Sequence, residues 1–176
     1  MKTLYLLRHA KSLWPNPPAP DIERPLNKRG KRAAALMGAY FRTQGIAPEV
    51  VLCSPAARTR ETLERLDEAR GQRAPVRLLK TLYLAPPDRL LATARGLENE
   101  LQSAMIVAHE PGIGRFALAM SEADSSSARG DLEQKFPTGA LAVIAFPVER
   151  WRDINEGSGR LVAFVRPRDL ETGEED

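Results

Sequence analysis

The sequence is short of the residues that build disulfides and metal centres. Its 176 residues include one cysteine and two histidines. A single cysteine excludes an internal disulfide, and the apolar run that leads into Cys53 predicts a buried structural thiol. The histidines have no nearby cluster of acidic residues, whereas a catalytic zinc ion normally has three protein ligands. We therefore expect no metal ion and no cofactor.

Long hydrophobic runs are also missing. The longest apolar stretches, such as residues 4–7 and 105–108, are far shorter than the roughly 20 residues that span a bilayer. The amino terminus enters a strand-like run directly, without the charged and apolar regions of a secretory signal. These absences predict a cytoplasmic protein that does not cross a membrane.

The charge is uneven along the chain. The formal net charge is +3, yet the last ten residues hold five acidic side chains against Arg168. The basic body suits a phosphorylated or nucleic-acid partner, but no nucleic-acid-binding motif accompanies the scattered basic residues. We therefore expect a phosphorylated partner and no nucleic acid. Residues 1–166 are predicted to form a single domain and residues 167–176 a disordered acidic tail, and no pattern sets the oligomeric state.

Short apolar runs alternate with helical patterns, which indicates a βαβ organisation. Residues 3–7, 50–53 and 105–108 are almost continuously apolar, which is typical of neighbouring central strands buried on both faces. Further strands are predicted at residues 76–79, 140–146 and 161–165, the last two as an antiparallel margin. The predicted fold is an α/β three-layer sandwich, a mostly parallel central sheet with helices on both faces and an antiparallel edge near the carboxyl terminus.

Capping residues predict where the helices begin and end. Asn27 is predicted to cap a helix that ends at Gly45, and Ser54 to cap a second one with Pro55 at its first position. Weaker helical patterns cover residues 88–100 and 111–120. Two stretches are predicted to be loops, namely the proline-rich residues 14–25 near the site and residues 121–131.

The residues that follow the three central strands share one chemistry. In an open parallel sheet, ligands bind outside the carboxyl ends of the strands. The first strand ends in Arg8 and His9, the second leads to Arg58, and the third ends in His109. A neutral imidazole can attack phosphorus in line, and arginine forks bind phosphoryl oxygens. We therefore predict that these four side chains converge on a phosphoryl group, with His9 as the nucleophile.

Three polar residues just beyond the first strand are further candidates. Lys11, Ser12 and Asn16 are predicted to line the phosphate pocket. The alternative is that they serve only the loop, because small polar residues after a strand commonly stabilise turns.

Five segments resemble the histidine phosphatase superfamily. Residues 7–12 are similar to its Arg-His-Gly/Ala signature, and residues 21–30, 54–62, 109–113 and 136–140 follow in the family's order. The Arg-Pro-Leu and Pro-Thr-Gly-Ala elements resemble the phosphohistidine phosphatase (SixA-type) branch more than the larger sugar-phosphate mutases. The resemblance implies a metal-independent phosphatase in which His9 is phosphorylated transiently while Arg8, Arg58 and His109 hold the phosphoryl group.

One departure from the family pattern concerns the general acid. Many members carry a carboxylate just before the Leu-Tyr element, where this chain has Thr81. Either Asp21, Glu23 or Glu110 protonates the leaving group, or the leaving group needs little help, as holds for the imidazole of phosphohistidine. Glu110 also fits a helix start, where a carboxylate is favoured. The departure therefore favours phosphohistidine over a simple alkyl phosphate.

The expected substrate is protein phosphohistidine or a small phosphomonoester. Two alternatives stay open: a phosphate- or phosphoprotein-binding module with weak turnover, and a mutase that returns the phosphoryl group to a second hydroxyl. The short chain disfavours the mutase, because few segments are left to enclose a substrate. Since neutral His9 is needed for attack, activity is predicted to fall at acidic pH.

Overall fold

The computed structural model describes residues 1–171. Its strands are β1 Lys2–Arg8, β2 Val51–Cys53, β3 Val76–Leu78, β4 Ser103–Ala108, β5 Leu141–Phe146 and β6 Arg160–Val165. Its α-helices are α1 Lys28–Gln44, α2 Ala57–Arg70, α3 Pro87–Arg95, α4 Gly112–Met120, α5 Ser127–Gln134 and α6 Pro167–Leu170, and short 3-10 turns cover Asp21–Glu23, Lys80–Leu82 and Trp151–Asp153. Within this part of the chain no helix is both long and apolar enough to cross a bilayer.

The strands form one six-stranded sheet in the order β3-β2-β4-β1-β5-β6. The first four run parallel, so that β1 lies beside β4 and β4 beside β2, as predicted for the three apolar runs. β5 is antiparallel to β1 and β6 is antiparallel to β5. The predicted α/β sandwich with an antiparallel edge is therefore confirmed.

Alternate residues of the central strands face two separate helical layers. Leu6 of β1 packs in the same core as Phe116 of α4, together with buried residues of α3 and α5. Leu7 points to the opposite face and shares a core with Phe41 of α1 and Leu66 of α2. Because strand side chains alternate between faces, apolar residues at successive positions require helices on both sides. Cys53 is fully buried, as predicted.

The first helix has the predicted boundaries. The side-chain oxygen of Asn27 accepts a hydrogen bond from the backbone N–H of Gly30 at 2.8 Å, which satisfies one free donor of the first turn. Gly45 ends the helix with φ of 66° and donates its N–H to the carbonyl of Arg42 at 3.3 Å. Cap and stop signals therefore predict α1 correctly.

The starts and ends of two other helices differ from the prediction. α2 begins at Ala57 and not at Pro55, because the chain stays extended through Ala56. The Ser54 hydroxyl does not cap the helix; it bonds instead to His109, the residue that follows β4. α3 covers Pro87–Arg95 and not residues 88–100. The helix ends at Gly96, whose N–H donates to carbonyls of the last turn.

Two stretches predicted to lack regular structure contain helices. Residues 121–131 include the start of α5, because Ser126 caps it by accepting from the N–H of Arg129 at 3.1 Å and Leu132 is buried in the core. In the predicted tail, α6 forms where the Arg166 side chain and the Asp169 carboxylate bond across its first turn. The rest of the predicted disordered tail, residues 172–176, lies outside the described residues.

The two helices on one face approach each other most closely at Gly38 of α1. A Cβ atom there would overlap the carbonyl oxygen of Leu66 and lie 2.8 Å from the Cβ of Ala69. Both atoms belong to α2, so neither can move without shifting that helix. The glycine therefore sets the distance between α1 and α2.

We predict that Gly38→Ala lowers the free energy of unfolding by about 1–3 kcal/mol, because overpacking costs more than the helix propensity of alanine returns. Urea unfolding monitored by circular dichroism measures it. The matched control is Gly130→Ala within α5, where an added Cβ meets nothing within 4 Å and should stabilise by up to about 1 kcal/mol. Equal effects of the two substitutions would contradict the packing argument.

Candidate active site

Parallel pairing of β1 with β4 brings the two histidines together. Arg8 at the end of β1 is in register with Ala108 at the end of β4, so the residues that follow, His9 and His109, lie side by side. Their ring centroids are 5.4 Å apart. The His9 N–H donates to the carbonyl of Ala108 at 3.2 Å, which extends the strand pairing by one residue. Both imidazoles are buried at this edge of the sheet.

The backbone fixes which nitrogen of His9 carries its proton. Nδ1 lies 2.7 Å from the carbonyl oxygen of Ala10, and since a carbonyl only accepts, Nδ1 is the protonated nitrogen of the neutral ring. Nε2 then keeps its lone pair. Burial, followed by the charge of Arg58, lowers the pKa of His9 to about 4. His9 is therefore neutral and nucleophilic at pH 7.

A buried serine favours the same Nδ1-protonated tautomer in His109. Its Nε2 is 2.7 Å from Oγ of Ser54, and this oxygen also accepts from the N–H of Ala56 at 3.3 Å. The Ser54 hydroxyl has no other acceptor among the side-chain contacts of residues 1–171, so we assign its hydrogen to Nε2, which leaves Nδ1 of His109 as an N–H donor. Burial, and then the charge of Arg58, lower the pKa of His109 to about 3. The ring is a neutral donor.

Arg58 enters the site from the first turn of α2 and is buried there. Nη1 donates to the backbone carbonyl of Asp21 at 2.8 Å, and Nη2 donates to its carboxylate at 3.0 Å. The hydroxyl of Tyr83 also donates to this carboxylate. The proline-rich loop predicted to lie near the site therefore reaches it through Asp21.

The contacts of Asp21 favour its ionised form. The hydrogen bond from Tyr83 and the contacts with Arg58 and Arg24 lower its pKa to about 2, so the group is a carboxylate at neutral pH. An ionised carboxylate accepts hydrogen bonds and has no proton to give. In this arrangement the carboxylate orients Arg58, and the role of Asp21 as the proton donor stays a prediction.

The other two candidate acids have different surroundings, and their predicted role stays a prediction. The carboxylate of Glu110 accepts from the N–H of Gly114 at 2.5 Å in the first turn of α4, which is the helix-start role considered from sequence. Glu23 is exposed, and its side chain has no hydrogen-bond partner within residues 1–171. Thr81, which stands where many relatives carry the acid, is also exposed.

Unpartnered donors gather around His9. In the described part of the chain, four buried side-chain polar atoms have no hydrogen-bond partner, and three of them are Nε of Arg8, Nε of Arg58 and Nδ1 of His109. Nη1 of Arg8 is anchored by the carbonyl of Phe136 at 2.9 Å. Buried donors without partners are costly and therefore rare. Three of them beside one imidazole suit an anion with several oxygen acceptors.

The three candidates beyond β1 are not drawn into this cluster by any side-chain contact in residues 1–171. Oγ of Ser12 accepts from Nη1 of Arg24 at 3.0 Å. The exposed Lys11 lines a groove along α1. Asn16 is exposed on the proline-rich loop. Their predicted contact with phosphate stays a prediction.

Sequence reasoning missed three supporting residues. Ser54 fits a helix cap, so its bond to His109 was not expected. Tyr83 lies edge-on to His109 with ring centroids 5.5 Å apart, and its only signal was its place in the Leu-Tyr element. Thr62 of α2 accepts from the N–H of Ala10 at 2.9 Å and supports the segment behind His9. These contacts join residues far apart in the chain and leave no local pattern.

Known proteins resemble this chain in both sequence and fold. Residues 4–83 match the profile of the histidine phosphatase superfamily (branch 1). An uncharacterized protein of Mycobacterium leprae is 39% identical over 166 residues, covering 92% of this chain and 100% of its own length. A structure from Nakamurella multipartitia assigned as phosphohistidine phosphatase SixA is 32% identical with a TM-score of 0.82, covering 94% of this chain and 96% of that one. The chain belongs to the histidine phosphatase superfamily.

Further histidine phosphatase structures agree with this placement. A protein of Agrobacterium tumefaciens, also assigned as SixA, is 28% identical with a TM-score of 0.77, covering 94% of this chain and 98% of that one. The protein histidine phosphatase SixA complexed with tungstate shares the fold, with a TM-score of 0.78 at 22% identity. The resemblance described from sequence is confirmed, and the chain is a phosphatase of the hydrolase class.

We predict that stability depends on the two histidines between pH 7 and 5. Because the folded-state pKa values of about 4 and about 3 lie below the ordinary 6.5, the unfolded chain binds more protons, and stability falls as the pH falls. Each histidine adds a slope of up to about 1.4 kcal/mol per pH unit. Urea unfolding across this range measures it. An unchanged slope in the His9→Gln/His109→Gln double variant would contradict the prediction.

Proposed function

We propose that this phosphatase hydrolyses protein phosphohistidine through a phosphoryl intermediate on His9. The proposal rests on the arrangement of donors around Nε2 of His9. The free Nε2 of a neutral His9 lies beside unpartnered buried donors on Arg8, Arg58 and His109. Nε2 of His9 can attack phosphorus, while the three donors can bind the phosphoryl oxygens and neutralise their charge.

The first step exchanges one P–N bond for another. The lone pair on Nε2 of His9 forms a bond to phosphorus while the P–N bond of the substrate breaks, and both electrons of that bond go to the leaving nitrogen. A substrate ring protonated at its other nitrogen then leaves as neutral imidazole. The new phosphoimidazole on His9 carries a positive charge, and its Nδ1–H stays bonded to the carbonyl of Ala10.

Water completes the reaction. Its oxygen forms a bond to phosphorus, the P–Nε2 bond breaks, and a proton from the water passes to solvent. His9 returns to its neutral form with hydrogen on Nδ1, ready for another cycle. Throughout, Arg8 and Arg58 stabilise the oxygens as charge shifts between the attacking and leaving atoms.

The contacts of Asp21 and Glu110 within residues 1–171 favour a phosphoramidate substrate. Asp21 is ionised and bonded to Arg58, and Glu110 is bonded to the first turn of α4. The leaving group of an alkyl phosphate is a strongly basic alkoxide, which needs a general acid. The leaving group of a protonated phosphohistidine is a neutral imidazole, which does not. This site is therefore better matched to a P–N bond than to an alkyl P–O bond.

The rim of the site favours a protein substrate over a sugar phosphate. Trp14 is 76% exposed and stacks on the guanidinium of Arg24, with the Arg24 Cζ atom 3.6 Å from the ring centroid. Ile22 is the neighbour of Asp21 and Leu84 is the neighbour of Tyr83, and both side chains are exposed. Exposed apolar groups around a site mark a surface that contacts other macromolecules.

We predict that the wild type releases phosphate from a histidine-phosphorylated protein faster than from an aryl phosphate, and slowest from a sugar phosphate, because the need for a general acid rises in that order. His9→Ala should lose at least about a thousandfold in kcat/KM on each substrate, as expected when a nucleophile is removed. Phosphate release measures both effects.

The chain's only histidines make the intermediate easy to assign. Rapid alkaline denaturation during turnover should trap a phosphorylated chain, detected by intact mass. In His109→Ala the trapped species should persist at His9, whereas in His9→Ala it should be absent. Binding of phosphate ligands without turnover would instead support a binding module, and transfer to a sugar hydroxyl would support a mutase.

Ser54 is predicted to act by positioning His109. Ser54→Ala should lower kcat/KM about tenfold, since it removes one hydrogen bond that fixes the tautomer of a donor to the phosphoryl group. The matched control is Ser121→Ala, which also removes a buried serine hydroxyl, there bonded to the carbonyl of Ala117 at the end of α4. Steady-state kinetics compares them. Equal losses in both variants would attribute the effect to general destabilisation.

A further inference from the structure

A groove with a basic rim runs beside the active site. It lies between α1, the segment at residues 137–138 and α6, with a volume of about 630 Å³. We call it the basic groove, and its cationic lining residues are Lys11, Arg29, Arg32, Arg166 and Arg168. The catalytic scheme above uses none of these side chains.

Within residues 1–171, most of the cationic side chains of the basic groove have no paired carboxylate. Arg166 is paired with the carboxylate of Asp169 at 2.9 Å, so it contributes little net charge. The other four cationic side chains take part in no ion pair within residues 1–171, and the only carboxylate that lines the basic groove is Glu171. Arg29 and Arg32 lie three residues apart and so share one face of α1. The groove therefore presents a concentrated positive field.

The floor of the basic groove is apolar and contains no aromatic ring. Ala33 and Leu36 of α1 line one side of this floor, and Pro137 and Pro167 line the other. Single-stranded nucleic acids are bound on aromatic platforms on which bases stack. An apolar floor between cations instead fits an extended polypeptide whose acidic side chains reach the rim while its aliphatic groups contact the floor.

The basic groove and the catalytic site share one wall. The carbonyl of Phe136 accepts from Arg8, and the N–H of Gly139 donates to the carbonyl of His9 at 2.9 Å. The two residues between them, Pro137 and Thr138, line the basic groove. A polypeptide in the groove therefore lies within a few residues of a group bound at His9.

We propose that the basic groove binds an acidic segment of the phosphorylated protein substrate, next to its phosphohistidine. This inference rests on the proposed function, since it names the chemistry of the substrate's flanking sequence. Attraction between the rim and carboxylates would increase the encounter rate and fix the direction of the bound chain. It would weaken with ionic strength, because exposed charges are screened over about 10 Å at 0.1 M salt.

The test compares a groove variant with a charge-matched control. Arg29→Glu/Arg32→Glu reverses two rim charges, and a glutamate in the first turn of α1 is favourable for the helix. Arg152→Glu/Arg160→Glu makes the same charge change at the opposite end of the sheet, where Arg160 begins β6 and Trp151 contacts Lys2 at the start of β1. Both pairs are exposed, so both variants are expected to fold.

The probes are two synthetic phosphohistidine peptides, one flanked by four glutamates and one by four serines. The wild type should hydrolyse the glutamate peptide with a kcat/KM roughly tenfold higher, a preference lost in the groove variant and kept in the control. The preference should shrink as salt rises from 0.05 to about 0.5 M. The serine peptide should be hydrolysed equally by all three proteins.

Two kinetic results would overturn the basic groove as a docking site. One is a wild type without preference for the glutamate peptide; the other is a control variant that loses the preference equally. If no peptide is hydrolysed, the proposed function fails, but fluorescence anisotropy of the unphosphorylated glutamate peptide still tests the groove. Binding to the wild type and the control, but not to the groove variant, would support the groove as a docking site. No binding to the wild type would overturn it. Tighter binding of oligothymidylate than of the peptide would also overturn it.

Discussion

The parallel pairing of β1 with β4 is the constraint on which the site depends. Register between Arg8 and Ala108 places two imidazoles side by side at the carboxyl edge of the sheet, where helices on both faces exclude water. Exclusion of water keeps both rings neutral, which a nucleophile and a donor require. A shift of one residue in this pairing would turn each side chain to the other face. Fold and chemistry are thus fixed by the same hydrogen bonds.

Residues that follow buried strands could be found from sequence, because a parallel sheet collects strand ends at one edge. Arg8, His9 and His109 were placed in this way, and the three apolar runs were correctly predicted to be neighbouring strands, whereas their order came only from the structure. The role of Ser54 could not be found so. A serine before a proline is a strong local signal for a helix cap, but in the folded chain a buried imidazole competes for the same hydroxyl.

Other differences have the same origin in contacts that no local pattern reveals. Serines and a glycine around residues 121–131 predict a loop, yet burial of Leu132 and capping by Ser126 stabilise a helix there. The acidic composition of the tail predicts disorder, yet Arg166 pairs with Asp169 across the first turn of α6. In each case a few tertiary or cross-turn contacts outweigh the average propensity of the segment.

The contact between Asp21 and Arg58 has a consequence for charge balance during the reaction. Arg58 is a buried cation, and the carboxylate on the proline-rich loop neutralises it before any substrate arrives. An incoming phosphoryl group brings its own negative charge to the same guanidinium. The buried arginine therefore has a counter-ion before the reactant arrives, and because Asp21 occupies only Nη1 and Nη2, Nε of Arg58 stays available to the phosphoryl oxygens.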